Sequence, residues 1–572
     1  MYEPMSFYPT SDGYAYLICP EQHQWEKLQE LMGNPEWAKG IILRNNTPEQ
    51  SQALKEKVSE WTVQYTAEEL FHLCQKNRVG AAPVFTFDQL ASQPHLKARE
   101  YYVPHRHPEV GEISLPGAPY HLRKNWWRIR RPAPRLGAMN GRSEAEPWQD
   151  SRDDRTAGKK AAPNGSPVDL PLRGVRVLDF SWVWAGPYCT SLMGFLGAEV
   201  WKIETAARSD LTRRSVMTPP GMEHDLNRSG YFNQINQCKK SVGINLTSPE
   251  GIDLVKRLAA KSDVMISNFG TGVLEKLGLG HEVMQAINPN LIVAAISAFG
   301  QTGPCKSYMG YGPLILPLTG ISAFTGYGDG EPRDVGLAYG DPNGGVLTAF
   351  SIMASLFARD GADGLGQVID LSMWEAMLSV GFEGWMGYQL GNPDPQANGN
   401  RDPVFCPHNV YPGKGEDRWV AIEIIEEAQW QNLCRVLGRQ DWAGDPRFQT
   451  AAGRKAHEPE LDRAISDWCR VRDRWEATRE LQAGGVPAFP SLSNEDMVKD
   501  PHLNQRGCFS NWEHAEVGVR TLMGQAWQWE NRPNGLGRQA PLLGEHTDQV
   551  LEDVLGLDAA ERERLRAAGV IE

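Results

Sequence analysis

The chain has 572 residues, 23% charged and 41% hydrophobic, enough to bury a large core in more than one domain. Its net charge of −13, from 58 basic and 71 acidic residues, argues against a nucleic-acid partner, although a local basic patch still suits an anionic ligand. The N-terminus lacks a basic stretch followed by an apolar core, and no run approaches the roughly 20 apolar residues that span a bilayer. The nine cysteines are scattered, without C-x-x-C pairs or zinc spacing. These features predict a cytoplasmic chain with reduced thiols, no membrane partner and no metal.

Residues 1–137 carry two helical patterns, at about 22–33 and 50–78, followed by strand-like pieces. Much of this stretch recurs near the C-terminus. QWEKLQELMGNPEWA (24–38) parallels QWQNLCRVLGRQDWA (429–443), and Trp61, Pro94, His107 and Pro134 match Trp468, Pro501, His514 and Pro541 at a constant offset of 407. Residues 1–137 are therefore expected to be a non-catalytic partial repeat, with shared apolar and turn positions dictating the same local fold. Its unpartnered face should dock on the catalytic unit rather than leave an apolar patch in water. Residues 138–168, rich in Gly, Pro, Ser and charge, read as a linker.

From Leu172 the pattern becomes strand (Val175–Phe180), turn (Ser181–Pro187), helix (Tyr188–Leu196) and strand (Glu199–Glu204). That βαβ unit continues through strands Val264–Ser267 and Leu291–Ala298 and predicts an α/β fold with a helix-covered parallel sheet. Ligands in such sheets bind beyond the carboxyl ends of the strands, so Ser181–Ala185, Asn268–Phe269, Ser297–Phe299 and Gly340–Asp341 should converge on one crevice. The expected domains are a large Rossmann-like unit at 169–390, a crossing segment and smaller α+β domain at 391–480, and a return to the large domain at 481–572.

The most informative stretch is 334–371. Val335, Leu337 and Ala338 read as a short strand, the chain breaks at Gly340-Asp341-Pro342-Asn343-Gly344-Gly345, and Val346–Arg359 reads as a helix. Asp341 then stands at a helix N-terminus, where the dipole keeps a carboxylate ionised. Two readings fit: a helix cap, the commoner role, or an exposed nucleophile that Gly344 and Gly345 let the backbone approach. A dinucleotide-binding fold would explain Glu204 at a strand end, but SWVWAGP replaces G-x-G-x-x-G. There is also no G-x-S-x-G nucleophile elbow.

LRGVRVLDF, AGPYCTSLMGFLGAEVWKIE, NQCKKSVGINLTSPEG, SDVMISNFGTGVLEKLGLG, GDPNGG and GLGQVIDLSMWEAML, in that order, resemble the class III coenzyme A transferases, typified by formyl-CoA:oxalate and carnitine CoA-transferases. The resemblance spans about 169–572. It implies that Asp341 attacks an acyl-CoA and passes through an aspartyl anhydride and an aspartyl-CoA thioester, with the Gly344 and Gly345 N–H groups as oxyanion donors. It also implies coenzyme A contacts from Val183, Ala185, Asn268, Phe269, Lys276, Leu277 and Arg208. Trp182 and Trp184, which replace polar family residues, suggest an apolar or aromatic acyl chain, with Tyr311 as a further substrate contact. The partners implied are an acyl-CoA and a carboxylic acid, with CoA thioesters as substrates, no permanently bound cofactor and an interlocked homodimer. Two other readings are a non-catalytic CoA-binding partner of a heteromeric transferase and a family lyase or isomerase; the Gly310-Tyr311-Gly312 turn lacks the histidine of the related racemases.

Overall fold

The computed structural model describes residues 3–43, 46–123, 127–129, 131–138, 140, 170–215, 217–361, 364–392, 395–530 and 538–572. Most of the expected 138–168 linker lies outside these residues. The chain divides into two units: Met1–Ser322 with Asp334–Asp394 and Gly507–Glu572, and Ala323–Arg333 with Pro395–Arg506.

The N-terminal segment forms an antiparallel sheet of β1 (Met5–Pro9), β2 (Tyr14–Ile18) and β3 (Gly80–Pro83). The sequence pattern had suggested no strand before the first helix. The expected 50–78 helix is two helices, Pro48–Thr62 and Ala67–Lys76. Thr66 stops the run because its hydroxyl caps the second helix at Glu69. Then follow the hairpin β4 (Tyr102–His107) and β5 (Gly111–Pro116) and the short β6 (Tyr120–Leu122).

The central sheet has seven strands in the order β6-β12-β11-β10-β7-β8-β9. Here β7 is Arg176–Asp179, β8 Glu199–Glu204, β9 Lys239–Gly243, β10 Val264–Ser267, β11 Ile292–Ser297 and β12 Val368–Ser372. All neighbours are parallel except β6, which the N-terminal segment lends antiparallel to β12. A core of Trp201, Val255, Leu258, Met265 and Leu279 takes in Val550, Leu551 and Ile571 from the C-terminus. No described helix is long and apolar enough to cross a membrane.

The second unit holds the sheet β13 (His408–Pro412), β14 (Trp419–Glu423) and β15 (Ala488–Pro490). Because β15 pairs with β14, residues up to Arg506 stay in this unit, and the return to the first comes at Gly507 rather than at 481. The hairpin β16 (Phe509–His514) and β17 (Gly518–Met523) follows in the first unit. The N-terminal segment and residues 408–523 thus run through the same kinds of element: an antiparallel three-stranded sheet with helices before its third strand, then a hairpin.

His95, which the 407-residue offset pairs with His502, is held by packing. It is buried, stacks on Trp374 at 5.6 Å, bonds the Phe299 carbonyl through Nε2 (2.7 Å) and accepts the Cys305 N–H at Nδ1 (3.1 Å). Those partners require the neutral ring protonated on Nε2, and burial pushes its pKa down to about 4.

Candidate active site

After β7, the backbone of Ser181 to Val183 is held by side chains. Asp179 accepts the Ser181 N–H (2.8 Å), and Lys202 donates to the Ser181 carbonyl (2.6 Å). Asn268 accepts from the Trp182 N–H (2.8 Å) and donates to its carbonyl (2.6 Å), and Asp210 accepts the Val183 N–H (3.0 Å). This network keeps Val183 at φ 68°, a left-handed conformation that a β-branched residue adopts only under such constraint, at a cost of roughly 1–3 kcal/mol. The strained turn leads directly into the helix Ala185–Phe195, which packs against the helix that carries Asp341.

The helix carrying Asp341 begins at Gly340, not Val346, because Pro342 falls in the first turn, where its missing N–H costs nothing. Val335 to Ala338, expected as a strand, is irregular, with Val335 and Leu337 half exposed. The Asp341 carboxylate is 9% exposed and lies against Gly312, with the N–H groups of Ala185 and Gly312 near enough to lower its pKa. Burial outweighs both of them and raises the pKa to about 7. The expectation of a carboxylate firmly ionised at neutral pH is thereby corrected: the free site holds it on the edge of titration. Gly312 is required where it is, since a Cβ there would lie 2.0 Å from Asp341 Oδ2.

Gly344 and Gly345 have a different role from the one expected. They lie beyond Asn343, whose N–H already bonds the Tyr339 carbonyl, so their N–H groups belong to the helix's own ladder. Their missing side chains let the helices touch: a Cβ on Gly345 would stand 2.6 Å from the Ala185 carbonyl, and one on Gly344 3.0 Å from Met373. That close packing delivers the Ala185 N–H to Asp341.

A pocket of about 420 Å³ opens beside the same turn, lined by Trp182, Arg208, Phe269 and Leu277 of the expected residues, with Thr205 and Val273. Trp182 meets Phe269 edge-on at 5.5 Å. Arg208 is exposed, and among the described residues no carboxylate pairs with its guanidinium. Lys276 is exposed on the short helix Val273–Lys276 and does not line this pocket. Asn268 spends its amide on Trp182, and Ala185 and Val183 act through the turn. Glu204 is spent too: it forms a fully buried pair with Arg213 (2.7 Å), which leaves it no ribose to hold and removes the dinucleotide reading.

Trp184 sits edge-on to Tyr231 at 6.1 Å. Tyr231, which no local sequence signal picks out, is close enough to Asp341 for the carboxylate's charge, after burial, to help push its pKa up. Tyr311 is half-buried, and its hydroxyl accepts from Gln24 of the N-terminal segment at 2.8 Å.

The geometry is a buried carboxylate on two backbone donors, flanked by aromatic rings, next to a pocket with a cationic rim. The sequence model of CoA-transferase family III matches residues 1–140 and 172–547. A succinyl-CoA–D-citramalate CoA-transferase of Chloroflexus aurantiacus is 32% identical over 401 residues, covering 70% of this chain and 98% of its own length. A probable CoA-transferase of Mycobacterium tuberculosis is 28% identical over 98% of this chain and 69% of its own. The crystal structure of a CAIB/BAIF family protein from Brucella suis superposes with a TM-score of 0.62 at 30% identity, covering 68% of this chain and all of that one. With its sheet, its Asp341 helix and its N-terminal segment all inside the matched regions, this chain belongs to CoA-transferase family III and is an enzyme of that class.

Proposed function

We propose that the chain transfers coenzyme A from an acyl-CoA donor to a free organic acid with Asp341 as nucleophile. The observation that carries this reading is the buried Asp341 carboxylate at the start of its helix, pressed against the Gly312 backbone and near the Ala185 N–H. An Asp341 oxygen attacks the donor carbonyl; the C–S bond breaks and CoA thiolate leaves a mixed anhydride. The thiolate attacks Asp341's own carbonyl carbon and expels the donor acid, giving an aspartyl-CoA thioester. The acceptor carboxylate attacks that carbon, CoA leaves again, and its return to the new acyl group frees Asp341. In the two steps at the Asp341 carbonyl, the negative charge grows on Asp341's own oxygen, the atom those two N–H groups already face. This supports Ala185 and Gly312, rather than Gly344 and Gly345, as oxyanion donors.

The 420 Å³ pocket suits the nucleotide end of CoA, with Arg208 for phosphate and the Trp182–Phe269 wall for the base; Trp184 and Tyr231 suit an apolar or aromatic acyl group. A homodimer belongs to this reading, and Val346, Phe350 and Phe357 leave an exposed apolar face on the Asp341 helix for it to bury.

The test is acyl exchange by the purified chain across a panel of acyl-CoA donors and organic acids, read by mass, with sedimentation on the same sample. Ping-pong exchange by a dimer is expected; CoA binding without exchange until a second protein is added would replace this reading with the non-catalytic partner. Gly312→Ala should cut kcat by about 100-fold, because the added methyl displaces the carboxylate, while lowering stability only by about 1–3 kcal/mol. Parallel exchange assays and thermal melts would reveal either failure.

A further inference from the structure

The oxyanion donor at Gly312 is not held by its own domain alone. The turn Met309–Gly312 is gripped by two buried glutamines from the N-terminal segment. Gln75 donates to the Met309 carbonyl and accepts its N–H, both at 2.9 Å. Gln24 donates to the Tyr311 hydroxyl at 2.8 Å. Neither amide is free to turn: Gln24 Oε1 caps its own helix by accepting the Glu21 N–H (3.2 Å), and Gln75 also donates to Ala81 (2.9 Å). Between the two grips Gly310 passes so close to Ala298 that a Cβ there would lie 2.1 Å from the Ala298 methyl. The turn is therefore fixed on both sides of a close approach, and its last peptide carries the N–H that meets Asp341. The N-terminal segment also holds neighbouring chain on either side, through Tyr308 (His72, 2.8 Å), Pro317 (Phe85 N–H, 3.0 Å) and Asp334 (Tyr16 hydroxyl, 2.7 Å).

We propose that Gln24 and Gln75 are positioning residues for Asp341, so that the N-terminal segment sets the reactivity of a nucleophile it does not touch. This deepens the CoA-transfer reading and rests on it for its kinetic arm only. A misplaced Gly312 donor should weaken the site by about 10- to 100-fold in kcat with little change in donor KM. It should also raise the pH at which Asp341 titrates, because a hydrogen bond to the charged form is lost. Tyr231, whose neutral phenol lies close enough to feel the Asp341 charge, stays in place in every variant used.

The experiment takes the full chain with Gln24→Met, Gln75→Met, Tyr311→Phe and the double variant Gln24→Met/Tyr311→Phe. One readout is exchange kinetics. The other needs no CoA: the pH midpoint of Asp341 labelling by a water-soluble carbodiimide and methylamine, read by peptide mass. The single variants should lower kcat and move the midpoint upward, and the double variant should be no worse than Tyr311→Phe alone, since Gln24 acts through that hydroxyl. If Gln24→Met does not fold, Tyr311→Phe, which removes one oxygen, should reproduce the shift. Variants that melt lower yet keep wild-type kcat and midpoint would overturn the proposal. A wild-type chain that exchanges nothing while the midpoint still moves would leave positioning intact and sink the transfer reading instead.

Discussion

Asp341→Asn is expected to fold at least as well as the parent chain and to lose turnover by at least roughly 10³-fold. The amide keeps an oxygen for the Ala185 and Gly312 N–H groups but is no nucleophile. The stability side follows from the sign of the pKa shift. The native carboxyl binds its proton more tightly than the unfolded one, so between pH 3.8 and about 7 the unfolded state gives up its proton first. Stability of the parent therefore falls as pH rises through that window, by on the order of 4 kcal/mol at full effect, and Asp341→Asn escapes the loss. Melting curves at pH 5 and pH 8 should show the variant gaining on the parent at the higher pH. In the parent, kcat/KM should rise with pH around 7 as the nucleophile ionises. Hydroxylamine added with donor acyl-CoA should convert Asp341 to a hydroxamate, seen by peptide mass. An Asn variant with parental turnover would end the nucleophile assignment.

The second large effect belongs to Arg99 of the N-terminal segment. Arg99→Met is expected to destabilise the chain by about 3–5 kcal/mol while leaving kcat near normal at low temperature. The guanidinium is buried against Glu375 (2.5 and 3.0 Å), Asp370 (2.8 Å) and the Thr302 hydroxyl (2.7 Å). It ties the N-terminal segment to β12 and to the helix Met373–Leu378. Without it two largely buried carboxylates are left without their cation. Burial already raises Glu375 to about 7 against the pull of Arg99, so protonation relieves the variant at low pH. The deficit should thus be smaller at pH 5 than at pH 8, and equal deficits at both would contradict the argument. Removing residues 1–168 takes away Arg99, His95 and β6 together. Light scattering should then show aggregation, and a soluble 169–572 chain with an unchanged melting temperature would show that the segment is dispensable.

Much of the large unit was legible in the sequence, because a buried parallel strand is a short apolar run whatever lies beside it. The strand Val264–Ser267 stands where its apolar run predicted, and the turns at Ser181 and Asn268 follow from local breaks in pattern. Other boundaries moved for tertiary reasons. The stretch after β12 forms two helices, Met373–Leu378 and Phe382–Gln389, with Gly381 at the break packed against Ile321. The apolar residues at 335–338 found no sheet edge and stayed irregular.

At the site the division is sharper. That Asp341 begins a helix is a local fact, readable from Gly340-Asp341-Pro342 and the apolar run that follows. Its charge state is not local, because two N–H groups lower the pKa while burial, which depends on everything packed around it, raises it by more. The sequence likewise shows glycines at 312, 344 and 345, but only the fold separates the one that bares an N–H to the carboxylate from the two that let helices meet. Gln24 is plain as a capping-box residue in its own helix, and that is all its neighbours in sequence reveal. Its second bond, to Tyr311, exists because the chain closes on itself over hundreds of residues, and no periodicity or spacing records a contact that only packing makes.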